Sequence, residues 1–142
     1  MLLVKTKIGV SKIHGIGLFA DEFVPKGKQV WVYHSGFDQK FEAQDILVLP
    51  KVAQEQILHY SYVNASTGKI VLCADDARYF NHSSDPTTIE AKVNDEEGAS
   101  IAARDIQVGE ELTYDYVKND ADGERKLRGA PIEESPVWSM KM

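Results

Sequence analysis

The stretch RYFNHSSDP, Arg78 to Pro86, places an amide, an imidazole and two hydroxyls side by side at Asn81-His82-Ser83-Ser84. Such groups can ligate a metal, carry a glycan, close a core with internal hydrogen bonds, or hold the polar parts of a cofactor. Asp75, Asp76 and His82 make a poor metal set, because the carboxylates are adjacent and no second histidine lies nearby. Asn81-His82-Ser83 and Asn64-Ala65-Ser66 match the glycosylation sequon, but no secretory leader is expected to expose them to that chemistry. A buried Asn and His bonding backbone, or half of a ligand pocket, remain open.

Two further stretches carry chemistry. His14-Gly15-Ile16-Gly17-Leu18-Phe19 contains Gly-x-Gly, which allows close backbone approach to a ligand or simply a tight turn. The phosphate fingerprint G-x-G-x-x-G fails, since Ala20 follows and no long βαβ unit does. Near the C-terminus, Gly109-Glu110-Glu111-Leu112-Thr113-Tyr114-Asp115-Tyr116 sets two phenols two residues apart. In a strand they share one face, as core or as the wall of a polar-tipped channel.

The elements that must position these groups fit one domain of 142 residues, with 43% hydrophobic and 27% charged residues. No apolar run approaches the ~20 residues of a membrane span. The single cysteine, Cys73, excludes an internal disulfide and a cysteine zinc cage, and fits a reducing, cytoplasmic setting. Net charge is −6 with no basic block, which argues against direct nucleic-acid binding and suits a basic partner.

Mainly β structure is expected. Gln29 to Tyr33 reads as a buried strand. Ser61 to Asn64 and Ile70 to Leu72 flank a turn at Ser66-Thr67-Gly68-Lys69. Ile89, Ala91 and Val93 alternate with Glu90, Lys92 and Asn94 as a strand with one wet face. Asp95-Glu96-Glu97-Gly98 then reads as a turn into a second strand at Ser100 to Ala103. A helical insert covers about 41–60, with Pro50 at a helix start. An echo links Ala20-x-x-x-Val24-x-x-Gly27-Lys28-x-Val30 with Ala102-x-x-x-Ile106-x-x-Gly109-Glu110-x-Leu112. Lys118 to Glu124 is polar and expected to be loose, whereas Ile132, Val137, Trp138 and Met140 should dock on core or ligand.

Taken in order, SKIHGIGLFA, RYFNHSSDP and GEELTYDY resemble the SET-domain protein-lysine methyltransferases, over about residues 5–117. The glycine turn at Val24-Pro25-Lys26-Gly27 and the YSYVN strand are similar too. The resemblance implies a SET-domain, β-clip-like fold of several small sheets with a knot-like core, occupying 1–117, and a post-SET-like tail, 118–142. It implies S-adenosyl-L-methionine on one face, bound by backbone at Gly15, Ile16, Gly17 and Leu18, by the Asn81 amide and by His82 through its backbone. It implies a substrate channel walled by Tyr62, Tyr114 and Tyr116 on the other face, with Tyr116 and Tyr114 catalytic.

Chemistry sets its own demands on such a site. A sulfonium methyl is already electrophilic, so the protein must chiefly align nitrogen, carbon and sulfur. A lysine of pKa about 10.4 must lose its proton near neutral pH, a cost of about 4 kcal/mol. An apolar channel ending near a positive sulfur lowers that cost, and the proton can leave to water before closure. A hydroxyl at Tyr114 leaves little room for a methylated nitrogen, so mainly monomethylation, with some dimethylation, is expected.

Departures from the family pattern matter. Ser84 stands where cysteine is frequent and Thr87 where asparagine is usual, and the tail lacks cysteines, so no zinc is expected. Trp138 is the expected aromatic cover over cofactor or channel. Ile16 replaces a frequently basic residue, leaving Lys12 as the expected match for the cofactor carboxylate. The expected partner is a basic lysine-rich protein, histone, histone-like or ribosomal, and a homodimer could complete the substrate groove. The competing readings are a catalytically weak SET-fold module that binds basic peptides, and a purely structural or dimerisation domain.

Overall fold

The structure is a computed structural model describing residues 1–93 and 95–140. Strands β1 (Thr6–Val10), β2 (Ile16–Ala20), β3 (Gln29–Val32) and β4 (Gln39–Phe41) precede helices α1 (Ala43–Leu47) and α2 (Lys51–Tyr60). After them come β5 (Ser61–Val63), β6 (Ile70–Leu72), β7 (Asn81–His82), β8 (Thr88–Val93), β9 (Asp95–Ala102) and β10 (Glu111–Tyr114). Helices α3 (Tyr116–Asn119) and α4 (Gly123–Arg128) follow. The strands form three small sheets, ordered β1-β2-β10-β7, β3-β9-β8 and β4-β6-β5. None of the described helices is long and apolar enough to cross a membrane.

The first sheet gathers the three chemistry-bearing stretches. β10 pairs antiparallel with β2 through Leu112 and Leu18, and parallel with β7 through Thr113–Asn81 and Tyr114–His82. The internal echo explains how distant segments meet. Val24 and Ile106 exchange both backbone hydrogen bonds, at 2.9 and 2.8 Å. Gly27 N–H donates to Ala102 O at 2.9 Å, and its counterpart Gly109 N–H donates to Ala20 O at 2.8 Å. The two copies are therefore halves of one interlocked pair of turns. Gly27 and Gly109 have φ of 84° and 91°, which glycine adopts without the strain a Cβ would impose.

Two cores flank this arrangement. One, around Leu18, Val24, Val30, Phe80, Ile106 and Leu112, lies under the first sheet, with Tyr62 and Tyr114 packed against it. The other joins the helical insert to the tail through Ile46, Leu58, Val63, Ile70, Ile132 and Val137.

The helical insert and the β5–β6 hairpin follow the sequence reading. Other expectations need correction. In β8 the apolar positions are not the covered ones: Ile89 is 45% and Val93 37% exposed, while Thr88 is buried. β8 is an edge strand beside β9 alone, so period-two alternation does not assure it a covering layer. Asn94, read on the wet face, lies outside the described residues. Asp95 to Gly98 is not a turn: Val93 pairs with Asp95, and the acidic run opens β9. Nor is the segment after Tyr116 loose. The buried Asp120 accepts from Val63 N and Asp122 N at 2.9 Å, and Asp122 holds Arg125 through bonds of 2.9 and 2.7 Å.

Candidate active site

Tyr116 sits where β10 gives way to α3. Asp115 makes that transition by accepting from Val117 N at 2.9 Å, an N-cap that starts a helix one residue after the strand ends. The Tyr116 hydroxyl donates to Phe80 O at 2.5 Å, and its backbone N–H donates to His82 Nδ1 at 3.0 Å. The His82 imidazole thus ties β7 to the start of α3. The Tyr114 ring lies 4.8 Å from the Tyr116 ring and 5.7 Å from Phe80. Burial first, and then the Asp120 carboxylate, raise both phenols well above their ordinary range, so both stay protonated and act as hydrogen-bonding groups.

Asn81 is the knot of the three motifs. Its Nδ2 donates toward His14 O at 3.0 Å, Ile16 O at 3.3 Å and Glu111 Oε2 at 2.9 Å. Glu111 in turn accepts from Ser11 Oγ at 2.8 and 3.0 Å. The two glycines of the first motif differ in purpose. Gly15 has φ of 47° with nothing where a Cβ would stand, whereas a Cβ on Gly17 would come within 2.5 Å of Glu111 Oε2. Gly15 thus serves dihedral freedom and an open face; Gly17 serves the approach of Glu111. Thr87 clasps β10. Thr113 N donates to Thr87 Oγ1 at 2.9 Å, and Thr87 N to Thr113 Oγ1 at 3.0 Å.

Two cavities flank Tyr116. A cleft of about 920 Å³ is lined by Ile13 to Ile16, Asn81, His82 and the tail segment Arg125 to Ile132. A second cavity of about 300 Å³ is lined by Trp31, Tyr62, Cys73, Tyr114 and the acidic residues Glu96 and Glu97. His59, Tyr60, Arg78, Phe80, Tyr116 and Lys126 line both, so the chambers share a wall that includes Tyr116. Lys126 lies 5.4 Å over the Tyr116 ring, 2.7 Å from Asp120 Oδ2, and donates to Ser61 O. Cys73 is buried, which pushes its thiol up to about 12 and leaves it unreactive.

Of the residues expected from sequence, Gly15, Ile16, Asn81, His82 and Tyr116 line the cleft, and Tyr62, Tyr114 and Tyr116 line the smaller cavity. Leu18 is fully buried core and Gly17 lies behind the cleft wall. Lys12 is exposed and is not part of the cleft lining; Arg78, Lys126 and Arg128 are the cations that are. Trp138, expected as a cover, packs on the second core and donates to Ile132 O at 2.6 Å. The cover over the cleft comes from α4 and the residues after it. Glu111, Arg78, Lys126 and Glu97 were not singled out. Arg78 opens RYFNHSSDP, Glu97 falls in the acidic run read as a turn and Glu111 is the second acid of GEEL, but nothing in those patterns distinguishes their roles.

The SET-domain signature matches residues 15–117, and the chain belongs to the SET-domain family. Among curated relatives it is similar to a Schizosaccharomyces pombe histone-lysine N-methyltransferase, H3 lysine-4 specific, at 33% identity over 138 residues. It is also similar to the Dictyostelium discoideum histone-lysine N-methyltransferase set1, at 32% over 127 residues. These alignments cover 87% and 79% of this chain, but it spans only 14% and 8% of the length of those relatives. Among solved structures, Chaetomium thermophilum Polycomb Repressive Complex 2 bound to GSK126 superposes with TM-score 0.63 at 22% identity, covering 89% of this chain and 17% of that one. The same complex in an autoinhibited conformation bound to S-adenosylmethionine gives 0.61 at 24%, covering 89% and 17%. At such identities the likeness concerns the fold.

Proposed function

We propose that the chain is a lysine methyltransferase that moves a methyl group from S-adenosyl-L-methionine to the ε-amine of a lysine in a basic protein. The observation that carries this is two separate chambers that share a wall containing the protonated phenol of Tyr116. One chamber fits a nucleoside-sized donor and the other a slender side chain. When bound, the donor supplies an electrophilic methyl on a positive sulfur.

The cleft has groups for each part of that donor. The Asn81 amide hydrogens are taken up by His14 O, Ile16 O and Glu111, which leaves Oδ1 to accept from the donor's amino group. Arg78, Lys126 and Arg128 offer positive charge to its carboxylate. Gly15 presents backbone without a side chain in the way.

The Tyr116 hydrogen is committed to Phe80 O, so its oxygen lone pairs orient the incoming amine and the transferring methyl. The Lys126 ammonium beside Tyr116 disfavours a second cation there and so favours the neutral amine. The hydroxyl of Tyr114 crowds a methylated nitrogen and supports monomethylation as the main product. Glu90 and Glu96, exposed at the smaller cavity, and the net charge of −6 suit a basic substrate, and the histone lysines named for the two curated relatives make histones the first candidates.

The test is incubation with methyl-labelled donor and, in separate reactions, core histones and ribosomal proteins. Label should appear on lysine in at least one. Donor binding without transfer to any of them would favour the peptide-binding reading instead.

A further inference from the structure

Glu97 is a buried carboxylate with no duty in the steps above. Its side chain is inaccessible and the whole residue is 6% exposed. Its Oε1 accepts from the Tyr62 hydroxyl at 2.6 Å and from Asn64 Nδ2 at 3.1 Å. Its Oε2 lies 3.1 Å from Lys40 Nζ as an ion pair. Lys40 continues to Glu96 Oε1 at 2.7 Å, and Glu96 is half exposed to solvent. A buried charge is a costly way to fill space, and an apolar side chain would often serve stability better.

Glu97 Oε2 is one of four buried side-chain polar atoms that lack a hydrogen-bond partner among the described residues. The others are Trp31 Nε1, Ser61 Oγ and Asp120 Oδ2. All four belong to residues lining the 300 Å³ cavity. The two carboxylate oxygens are held by ion pairs, with Lys40 and with Lys126, whereas Trp31 Nε1 and Ser61 Oγ have no polar partner among the described residues, which suits the chamber to a polar guest.

We propose that Glu97, acting through Tyr62, positions the target amine and accepts the proton that the lysine must lose before methyl transfer. The inference rests on the methyltransferase reading and adds to it the route of the proton. Because Tyr62 donates its hydrogen to Glu97, the phenol oxygen keeps its lone pairs for an arriving ammonium. The ammonium gives a proton to the Tyr62 oxygen while the phenol's own proton passes to Glu97 Oε1. One N–H and one O–H bond break and two O–H bonds form. Tyr62 ends as a neutral phenol, Glu97 as a carboxylic acid, and the amine as a neutral nucleophile. Its lone pair then forms the N–C bond as the S–C bond breaks and leaves its electron pair on sulfur. As the product leaves, Glu97 returns that proton to the Tyr62 oxygen while the phenol passes its other proton to water entering the cavity, which restores the starting Tyr62–Glu97 hydrogen bond. Burial, followed by the Glu97 charge, pushes the Tyr62 phenol far up, so Tyr62 transmits a proton without persisting as phenolate. The charged groups around Glu97 are Lys40 from β4, Glu90 from β8, and Asp95 and Glu96 from β9. Tyr62 from β5 and Asn64 just after it complete its surroundings.

Glu97→Gln keeps an acceptor for Tyr62 but cannot take a proton, and Tyr62→Phe cuts the link while keeping the ring. Initial rates of label transfer to core histones and ribosomal proteins, read between about pH 6.5 and 10, separate the cases. Glu97→Gln should lower kcat about a hundredfold near neutral pH, with the donor KM unchanged. The deficit should close toward pH 10, where lysine sheds its proton unaided. Tyr62→Phe should show the same pH signature, and the double variant should be no worse than either single one. A ratio to wild type that is constant across pH, an unchanged kcat, or a raised donor KM would overturn the role of Glu97. If Glu97→Gln does not fold, Tyr62→Phe carries the test alone. A wild type that transfers nothing overturns the functional reading, and this inference with it; an active wild type with parallel variant profiles overturns this inference only.

Discussion

Tyr116 is held from every side: hydroxyl on Phe80 O, backbone N–H on His82, ring between Tyr114 and the Lys126 ammonium. A residue so constrained is preorganised, and preorganised hydrogen-bonding groups contribute to a rate without reorganising during reaction. Tyr116→Phe keeps the ring and loses the hydroxyl. Methyl transfer should fall by about a hundredfold or more, with a melting temperature close to wild type. Tyr114→Phe should do something different. It opens roughly the space of a hydroxyl-bound water beside the nitrogen, so mass spectrometry should show products moving from monomethyl to di- and trimethyl lysine. An unchanged product distribution would refute the role given to Tyr114. At this scale the sequence was informative where chemistry needs an uncommon residue in a fixed place, as at Asn81 and Tyr116. It was silent about Glu97, because an acid followed by glycine also has the composition of an exposed turn.

At the scale of elements, the tail is the part that sequence composition misrepresents. Lys118 to Glu124 has the polar, turn-prone make-up of a solvated linker. Its order comes from partners far along the chain: Asp120 reaches Val63 N, and Lys126 reaches Ser61 O. No local pattern encodes those pairings. Gly123 shows how close the fit is, since a Cβ there would lie 2.8 Å from Tyr116 C and 3.0 Å from Tyr116 Cβ, with no flexible side-chain end to give way. Gly123→Ala should therefore cost about 1–3 kcal/mol in denaturant unfolding and lower methyl transfer by displacing Tyr116. Removing everything after Val117 should do more harm, because Ile132 and Val137 are buried in the second core. The loss should be about 3–6 kcal/mol from those two side chains alone, visible as a large drop in melting temperature.

His59 on α2 adds a pH dependence. His59 is exposed on one side, and partial desolvation first, then the nearby Lys126 charge, lower its pKa below the usual histidine value. A depressed folded-state pKa means that the unfolded chain binds the proton more readily. Stability is therefore full above about pH 6.5 and declines as pH falls through the lowered value. Thermal melts of His59→Gln should show a shallower decline between about pH 7 and 5 than the wild type.

Across the whole molecule, three short stretches at 11–20, 78–86 and 109–116 converge because the turns at Gly27 and Gly109 interlock, bringing β2 and β10 side by side. The echo in the sequence was visible, but its meaning was not. Similar spacing reveals that two segments are alike, and only their mutual hydrogen bonds reveal that they pair with each other. The same limit applies to the cover of the cleft: Trp138 had the right chemistry for that task, while hydrophobic burial against Ile132 and Val137 claims it for the core. Membership of the SET-domain family and the sheet-rich fold were legible because several motifs had to agree in order.

The central claim is that the two chambers are joined for reaction at Tyr116. Its most direct test is to compare wild type and Tyr116→Phe for donor binding by calorimetry and for label transfer to core histones and ribosomal proteins in the same preparation. The expected result is donor binding by both proteins and transfer by the wild type alone. Equal transfer by both, or no donor binding by the folded wild type, would contradict it.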